Sequence, residues 1–255
     1  MSLTIGALYG IAYSGLHTRE LEMATVSHNL ANLQTIGYKR VQLLAQDLIA
    51  STEEAEAAGE RWLPAGTHLA ATRRLTQQGA IETTGNPWDL ALDGPGYFQV
   101  QEPDGTISYT RAGAFRINGD GRLVTLDGAS VLPLVTLPVG AQDVYVDRQG
   151  RILAEVNGQV QEVATLQIAR FANPEGLQMI GANRFLATAA SGPAQLGQPG
   201  TPGYAEVVAQ ALEKSNVDLS VEAIAMVAAQ RAYSLNLRML QITDRLHTLA
   251  LELRA

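Results

Sequence analysis

Tyr97-Phe98-Gln99-Val100-Gln101-Glu102-Pro103-Asp104-Gly105-Thr106-Ile107-Ser108-Tyr109 decides the architecture of the middle of this chain. Two short runs rich in aromatic and β-branched residues flank Pro103-Asp104-Gly105. Aspartate and glycine tolerate the positive φ angles of a tight turn, so the stretch predicts a β-hairpin. The same turn signals recur at Asp93-Gly94, Asn118-Gly119, Asp127-Gly128 and Asn157-Gly158 between further β-rich runs, and the centre therefore reads as antiparallel β. Gly119-Asp120-Gly121-Arg122-Leu123-Val124 is echoed by Gln149-Gly150-Arg151-Ile152-Leu153. That echo is shared hairpin grammar rather than a repeat array.

Outward from this centre the hydrophobic period changes. From Ile5 the apolar positions Leu8, Ala12, Leu16, Met23, Val26, Leu30 and Leu33 alternate by three and four, broken only near Arg19 and Glu20. This predicts an amphipathic helix with a narrow seam. Val221, Ile224, Ala228, Leu235, Ile242, Leu246, Leu249 and Leu253 repeat the pattern, with Asp218 or Ser220 as N-cap and Glu222 in the first turn. Gly6, Gly10 and Ser14 make a strip of small residues that permits close helix approach. Residues 38–80 read as a continued helix through Val41, Leu44 and Leu48, then an acidic Ala/Glu run and a loop around Pro64-Ala65-Gly66; residues 191–204, with Pro193, Pro199 and Pro202 among glycines, read as linker. The expected fold class is mainly β with α: an antiparallel, hairpin-rich β body on a stalk of paired, coiled-coil-like N- and C-terminal helices. Its divisions are an N-terminal stalk helix at 1–37, a connecting segment at 38–80, a β domain at 81–203, and a connector with the C-terminal stalk helix at 204–255.

Composition narrows the function. With 255 residues and 46% hydrophobic content the chain can bury a sizeable core. Net charge is −7 and Lys39 and Lys214 are its two lysines, a balance that argues against nucleic acid or an anionic membrane as partner. The absence of cysteine removes disulfides, thiolate zinc sites and thiol nucleophiles. No run is long and apolar enough for a membrane span, and the start of the chain shows no signal-peptide cleavage pattern. His17, His28, His68 and His247 offer no close pair; His17 and His28 share a helix face but lie roughly 16 Å apart along its axis. Asn118-Gly119-Asp120-Gly121 lacks the spaced oxygens and closing glutamate of a calcium loop, and Gly94-Pro95-Gly96 precedes a strand where a phosphate cradle would precede a helix. Neither a cofactor nor catalysis is expected. A secreted enzyme or carbohydrate-binding module would instead require a pocket within 81–203 and dispensable ends.

A two-helix stalk with a narrow seam hides little apolar surface, and each helical glycine costs about 1 kcal/mol relative to alanine. Burial must then come from other copies, and a head-to-tail contact that does not close generates a helical filament. Trp62, Leu63 and Pro64 suit an intersubunit loop, because an apolar pair beside a rigid proline fits an interface better than a free loop.

Ser27-His28-Asn29-Leu30-Ala31-Asn32-Leu33-Gln34-Thr35-Ile36-Gly37-Tyr38-Lys39 resembles the N-terminal motif of bacterial flagellar rod and hook proteins. Ser215-Asn216-Val217-Asp218-Leu219, followed by Met226, Gln230-Arg231-Ala232-Tyr233 and Asn236, is similar to the paired C-terminal motif, and the stretches 90–100 and 109–115 resemble the same family. Chain length and Leu63-Pro64-Ala65-Gly66 look most like the distal rod branch, with the proximal rod branch as the alternative. His28 stands where an asparagine is common, and the segment after Gly66 looks shorter than is usual there. The resemblance implies a structural subunit of the basal-body rod. It would be exported unfolded and uncleaved through the flagellar type III apparatus, and polymerise in the periplasm with itself, other rod proteins, the hook and the surrounding rings. The assembly residues it implies, with the helix seams, are Leu8, Leu16, Met23, Val26, Asn29, Leu30, Asn32, Leu33, Gly37 and Tyr38 at one end. At the other they are Asn216, Val217, Ile224, Gln230, Arg231, Tyr233, Leu235, Ile242, Leu246 and Leu249.

Overall fold

The first helix, α1 (Ile5–Ala31), stops two residues before Leu33, the last position of the apolar alternation. The chain turns through Asn32–Gly37, where the Thr35 N–H donates to the Asn32 carbonyl at 3.1 Å. Gly37 adopts φ +67°, and a Cβ there would lie 2.7 Å from the Ala112 nitrogen. Only glycine suits both demands. The computed structural model describes residues 5–50, 63–138, 140–156 and 158–252.

The continued helix expected through Val41, Leu44 and Leu48 is instead strand β1 (Val41–Ala50), antiparallel to β2 (Leu63–Arg74), with Leu44 opposite Ala71 and Leu48 opposite Gly66. Short apolar runs suit either element, and a partner decides. Here Asn29 starts the strand: its Nδ2 donates to the Val41 carbonyl at 2.8 Å and its Oδ1 accepts from the Val41 N–H at 3.0 Å. The second helix is α2 (Leu219–Glu252). Met1–Ala31, Val41–Arg74 and Asp218–Ala255 form one compact unit, in which α1 packs against both α2 and the hairpin.

Asn32–Arg40 and Leu75–Val217 form the other unit. Its strands are β3 (Ile81–Thr83), β4 (Leu90–Asp93), β5 (Tyr97–Gln101), β6 (Ile107–Thr110), β7 (Phe115–Ile117), β8 (Leu123–Thr125) and β9 (Ser130–Leu132), then β10 (Gln142–Val146), β11 (Arg151–Val156), β12 (Gln159–Thr165), β13 (Ile168–Arg170), β14 (Gln178–Gly181), β15 (Arg184–Leu186), β16 (Gln195–Gly197), β17 (Glu206–Ala209) and β18 (Ala211–Glu213). All pairings are antiparallel. The main sheet runs β14-β15-β6-β5-β9-β8-β7, with β13 joining β5 and β16. The expected hairpin is β5–β6, with Gln99 opposite Tyr109. Its turn is closed by the Thr106 N–H donating to the Asp104 carboxylate at 2.8 Å, and Gly105 sits at φ +88°.

β5 is buried on both faces. Phe98 and Val100 enter one cluster with Leu90, Leu92 and Phe115, while Tyr97 enters a second with Tyr109, Phe171 and Phe185. Edge-to-face ring pairs support both: Phe98 with Phe115 at 5.1 Å and Tyr109 with Phe171 at 4.8 Å. The echoed turns share one device. Asn118 Oδ1 accepts from the Asp120 and Arg122 N–H groups, and Asp147 Oδ1 accepts from those of Gln149 and Arg151. The 191–204 stretch is not wholly linker, because β16 within it pairs with β13. Beyond it β17 and β18 pair with β4 and β3, so the β fold takes in 204–217 as well as the expected 81–203.

Candidate assembly surface

Asp218 caps α2: its Oδ1 accepts from the Ser220 N–H at 2.7 Å and the Val221 N–H at 3.2 Å. The buried positions of α2, Glu222, Ala229 and Thr243, line up with the half-buried Met226, Tyr233, Asn236 and Leu240 as one stripe of largely small or polar residues. Small side chains let this face approach α1 closely. A Cβ at Gly15 would lie 2.9 Å from Asn236 Nδ2, and Tyr9 donates a hydrogen bond to Asp244.

The apolar alternation read as the C-terminal seam therefore is not what joins α2 to α1. Val221, Ala228, Leu235, Ile242, Leu246 and Leu249 are all exposed, as is Ile224 at 72%. Leu253 lies outside the described residues. The inward stripe is chosen by specific contacts to α1, in which Asn29 reaches Glu222, Asn236 fits against Gly15 and Tyr9 reaches Asp244, with Met226, Tyr233 and Leu240 half-buried on the same stripe; the apolar column is left outward. Ala223, Ile224, Val227, Ala228 and Arg231 line an open apolar depression on this outer side. Gln230 is exposed too. On α1, Val26 is buried while Leu8, Leu16, Met23 and Leu30 are half-buried. Gly10 has nothing near it; the small-residue contact falls instead at Ser14, which accepts from the Thr67 N–H at 3.2 Å and would collide with a Cβ at Gly66.

The other expected residues hold the fold itself. Asn29 also donates to the fully buried Glu222 at 3.2 Å, so one side chain joins α1, β1 and α2. In the second unit, Asn32 accepts from the Thr35 hydroxyl, Leu33 is half-buried, and Tyr38 and Val217 are buried. Asn216 accepts from the Arg40 N–H at 2.7 Å and donates to the Leu75 and Gln77 carbonyls at 2.9 and 3.0 Å. The Gly37 N–H donates to the Glu213 carbonyl at 2.8 Å. The two sequence motifs thus meet through backbone groups that would otherwise be unpaired. Trp62 lies outside the described residues; of Leu63 and Pro64 only the backbone pairing in β2 is described, opposite Ala50 and Ile49.

Sequence reasoning missed the buried ionic cluster beside this junction. Glu213, fully buried, accepts from Lys39 and from Arg111 Nη1 at 3.2 Å, and takes the Gly79 N–H at 3.0 Å. Arg111 also donates to the Leu92 and Gly94 carbonyls and lies 5.3 Å from the Tyr97 ring centroid. Burial pushes the Lys39 ammonium below its ordinary value, and Glu213 pulls it part of the way back. Lys39 stood in the N-terminal motif, but no spacing pairs it with a carboxylate 174 residues away. Among the described residues no group of three or more side chains is placed to hold a metal ion, and no helix is long and apolar enough to cross a membrane.

Residues 91–154 match the flagellar hook protein FlgE/F/G D1 domain, and residues 208–253 match the flagellar basal body rod FlgEFG protein C-terminal region. A flagellar basal-body rod protein FlgG from Caulobacter vibrioides is 37% identical over 256 residues, covering 96% of this chain and 98% of the relative. The chain belongs to the FlgG family of flagellar basal-body rod proteins. The FlgG of Agrobacterium fabrum is 36% identical over 92% of this chain and 95% of its own, and a FlgF of Caulobacter vibrioides is 32% identical over 96% of each. The FlgG match thus spans the terminal helices and the β fold alike. The FlgG family is one of structural rod components, and its place is the flagellar basal body.

Proposed function

We propose that this chain is the distal rod subunit, copies of which add through their terminal helices to build the helical drive shaft that carries torque from motor to hook. The observation that carries this reading is the exposed apolar column of α2, from Val221 to Leu249, on a helix whose inner contacts are already made by small and polar residues. Exposed contiguous apolar surface of this kind marks an interaction site. Coiled-coil-like pairing is assigned to this column and to the half-buried Leu8, Leu16, Met23 and Leu30 of neighbouring copies. Asn29, Gly37, Tyr38, Asn216 and Val217 act by holding the ends in register for that contact. The polymer meets other rod proteins, the hook and the surrounding rings, and the chain reaches the periplasm unfolded and uncleaved through the type III export apparatus. Its role is mechanical, without catalysis, cofactor, nucleic acid or membrane insertion.

Sedimentation and electron microscopy of the purified full chain test this directly. Concentration-dependent helical filaments, and restored motility when the chain is supplied to a strain lacking its distal rod gene, are the expected results. A chain that stays monomeric under all conditions and fails to restore motility defeats the reading.

A further inference from the structure

The outer side of α2 carries charge in a pattern that the apolar column does not explain. Arg231, Arg238 and Arg245 recur every seven residues and all are exposed. They form a column about 21 Å long that drifts only about 20° per repeat. The positions three and four residues before and after each of them hold uncharged side chains, so the helix supplies none of the usual neighbouring acids. None of the three makes an ion pair with an acid among the described residues. Arg148 pairs with Glu206, Arg151 with Asp147 and Lys214 with Glu82, whereas the exposed Arg116, Arg122 and Arg170 of the β unit form no ion pair among the described residues either; what sets Arg231, Arg238 and Arg245 apart is their alignment along one helix.

We propose that this arginine column receives the acidic stretch 53–60 of a second copy of the chain. Glu53, Glu54, Glu56 and Glu60 place four carboxylates within eight residues, with no basic residue among them. Eight residues reach at most about 27 Å, enough to follow the column along its length. Copies with a net charge of −7 repel one another on average, so a row of three cations, ending one heptad before the exposed Glu252, is where an approaching copy's carboxylates are attracted and aligned. The apolar column gives adhesion, and the charges select the register. This proposal rests on the self-assembly proposed above and names its partner segment.

The absence of cysteine allows a clean test with the full chain. Two single-cysteine proteins, Glu56→Cys and Arg238→Cys, are mixed under assembling conditions and oxidised. A disulfide-linked heterodimer can only join two copies. It should exceed at least tenfold the product of a control mixture of Glu56→Cys with Asp120→Cys, a turn residue of the β fold. Reversing the column (R231E, R238E and R245E together) should raise the critical concentration at least tenfold, and adding E53R, E54R, E56R and E60R to the same chain should bring it back to within threefold of the parent. Heterodimer no more abundant than the control, in samples that sediment as polymer, overturns the docking and leaves self-assembly standing. Reversal without effect on assembly overturns it equally, and a parent chain that never polymerises defeats the self-assembly reading and this proposal together.

Discussion

Replacing Leu246 by aspartate separates folding from assembly. Leu246 is 54% exposed in the single chain, on the outer side of α2. Fully burying a leucine contributes about 1.5–3 kcal/mol, so about 1 kcal/mol or somewhat more remains to be gained at this position when a neighbour covers it. Aspartate forfeits that gain, and an unpaired carboxylate closed into the contact adds a penalty of several kcal/mol. A loss of about 3–5 kcal/mol per contact corresponds to about two to three and a half decades in affinity. Within the monomer the loss is smaller: about 1 kcal/mol for the half of the side chain already covered and about 0.5 kcal/mol of helix propensity. The expected result is a monomer with unchanged helix content by circular dichroism, a melting curve lowered by only a few degrees, and a critical concentration at least a hundredfold higher by sedimentation. An unchanged critical concentration would show that no copy covers this face. A monomer that loses helix would show that Leu246 belongs to the chain's own core, against the exposure argued here.

Asn29→Ala leaves both backbone groups of Val41 without this partner and removes one donor from the Glu222 carboxylate, and at about 1–3 kcal/mol for each unsatisfied backbone group should cost at least about 2 kcal/mol; urea unfolding followed by helix signal measures it. Glu213→Gln strips the carboxylate shared by the buried Lys39 and Arg111 and should destabilise the β unit by about 3–5 kcal/mol in thermal unfolding. Burial pushes the Asp147 carboxyl up, but hydrogen bonds from Arg151 and Gln149 together with the Arg151 charge hold it below its ordinary value. Its contribution is therefore complete above the unfolded pKa near 3.8 and lost as pH falls through the lower folded value. Asp147→Asn should keep the turn, as Asn118 does in its counterpart, and flatten that acid limb. Asp147→Ala should lose both accepted bonds and about 1 kcal/mol at neutral pH.

Local chemistry made much of this molecule legible from residues alone. The Asp104-Gly105 turn, the Asn118 turn and its echo at Asp147 depend on φ preferences and side chains reaching two to four residues along the chain, and such effects are written in adjacent letters. The terminal helices and the family motifs at both ends were legible for the same reason. The strand at Val41–Ala50 was not, because its apolar spacing fits a helix as well, and what chose the strand was β2 across the hairpin and the Asn29 side chain twelve residues back. The Glu213 cluster was invisible because its cations arrive from Lys39 and Arg111, distant in sequence. Most consequential is the facing of α2. Periodicity established that Val221, Ala228, Leu235, Ile242 and Leu249 share a side, but it carries no information about what covers that side. Only the tertiary structure decided that Glu222, Ala229 and Thr243 turn inward, because specific contacts to α1, such as that of Asn29 with Glu222, choose the inward stripe, whereas the hydrophobic effect is non-directional and can wait for another copy.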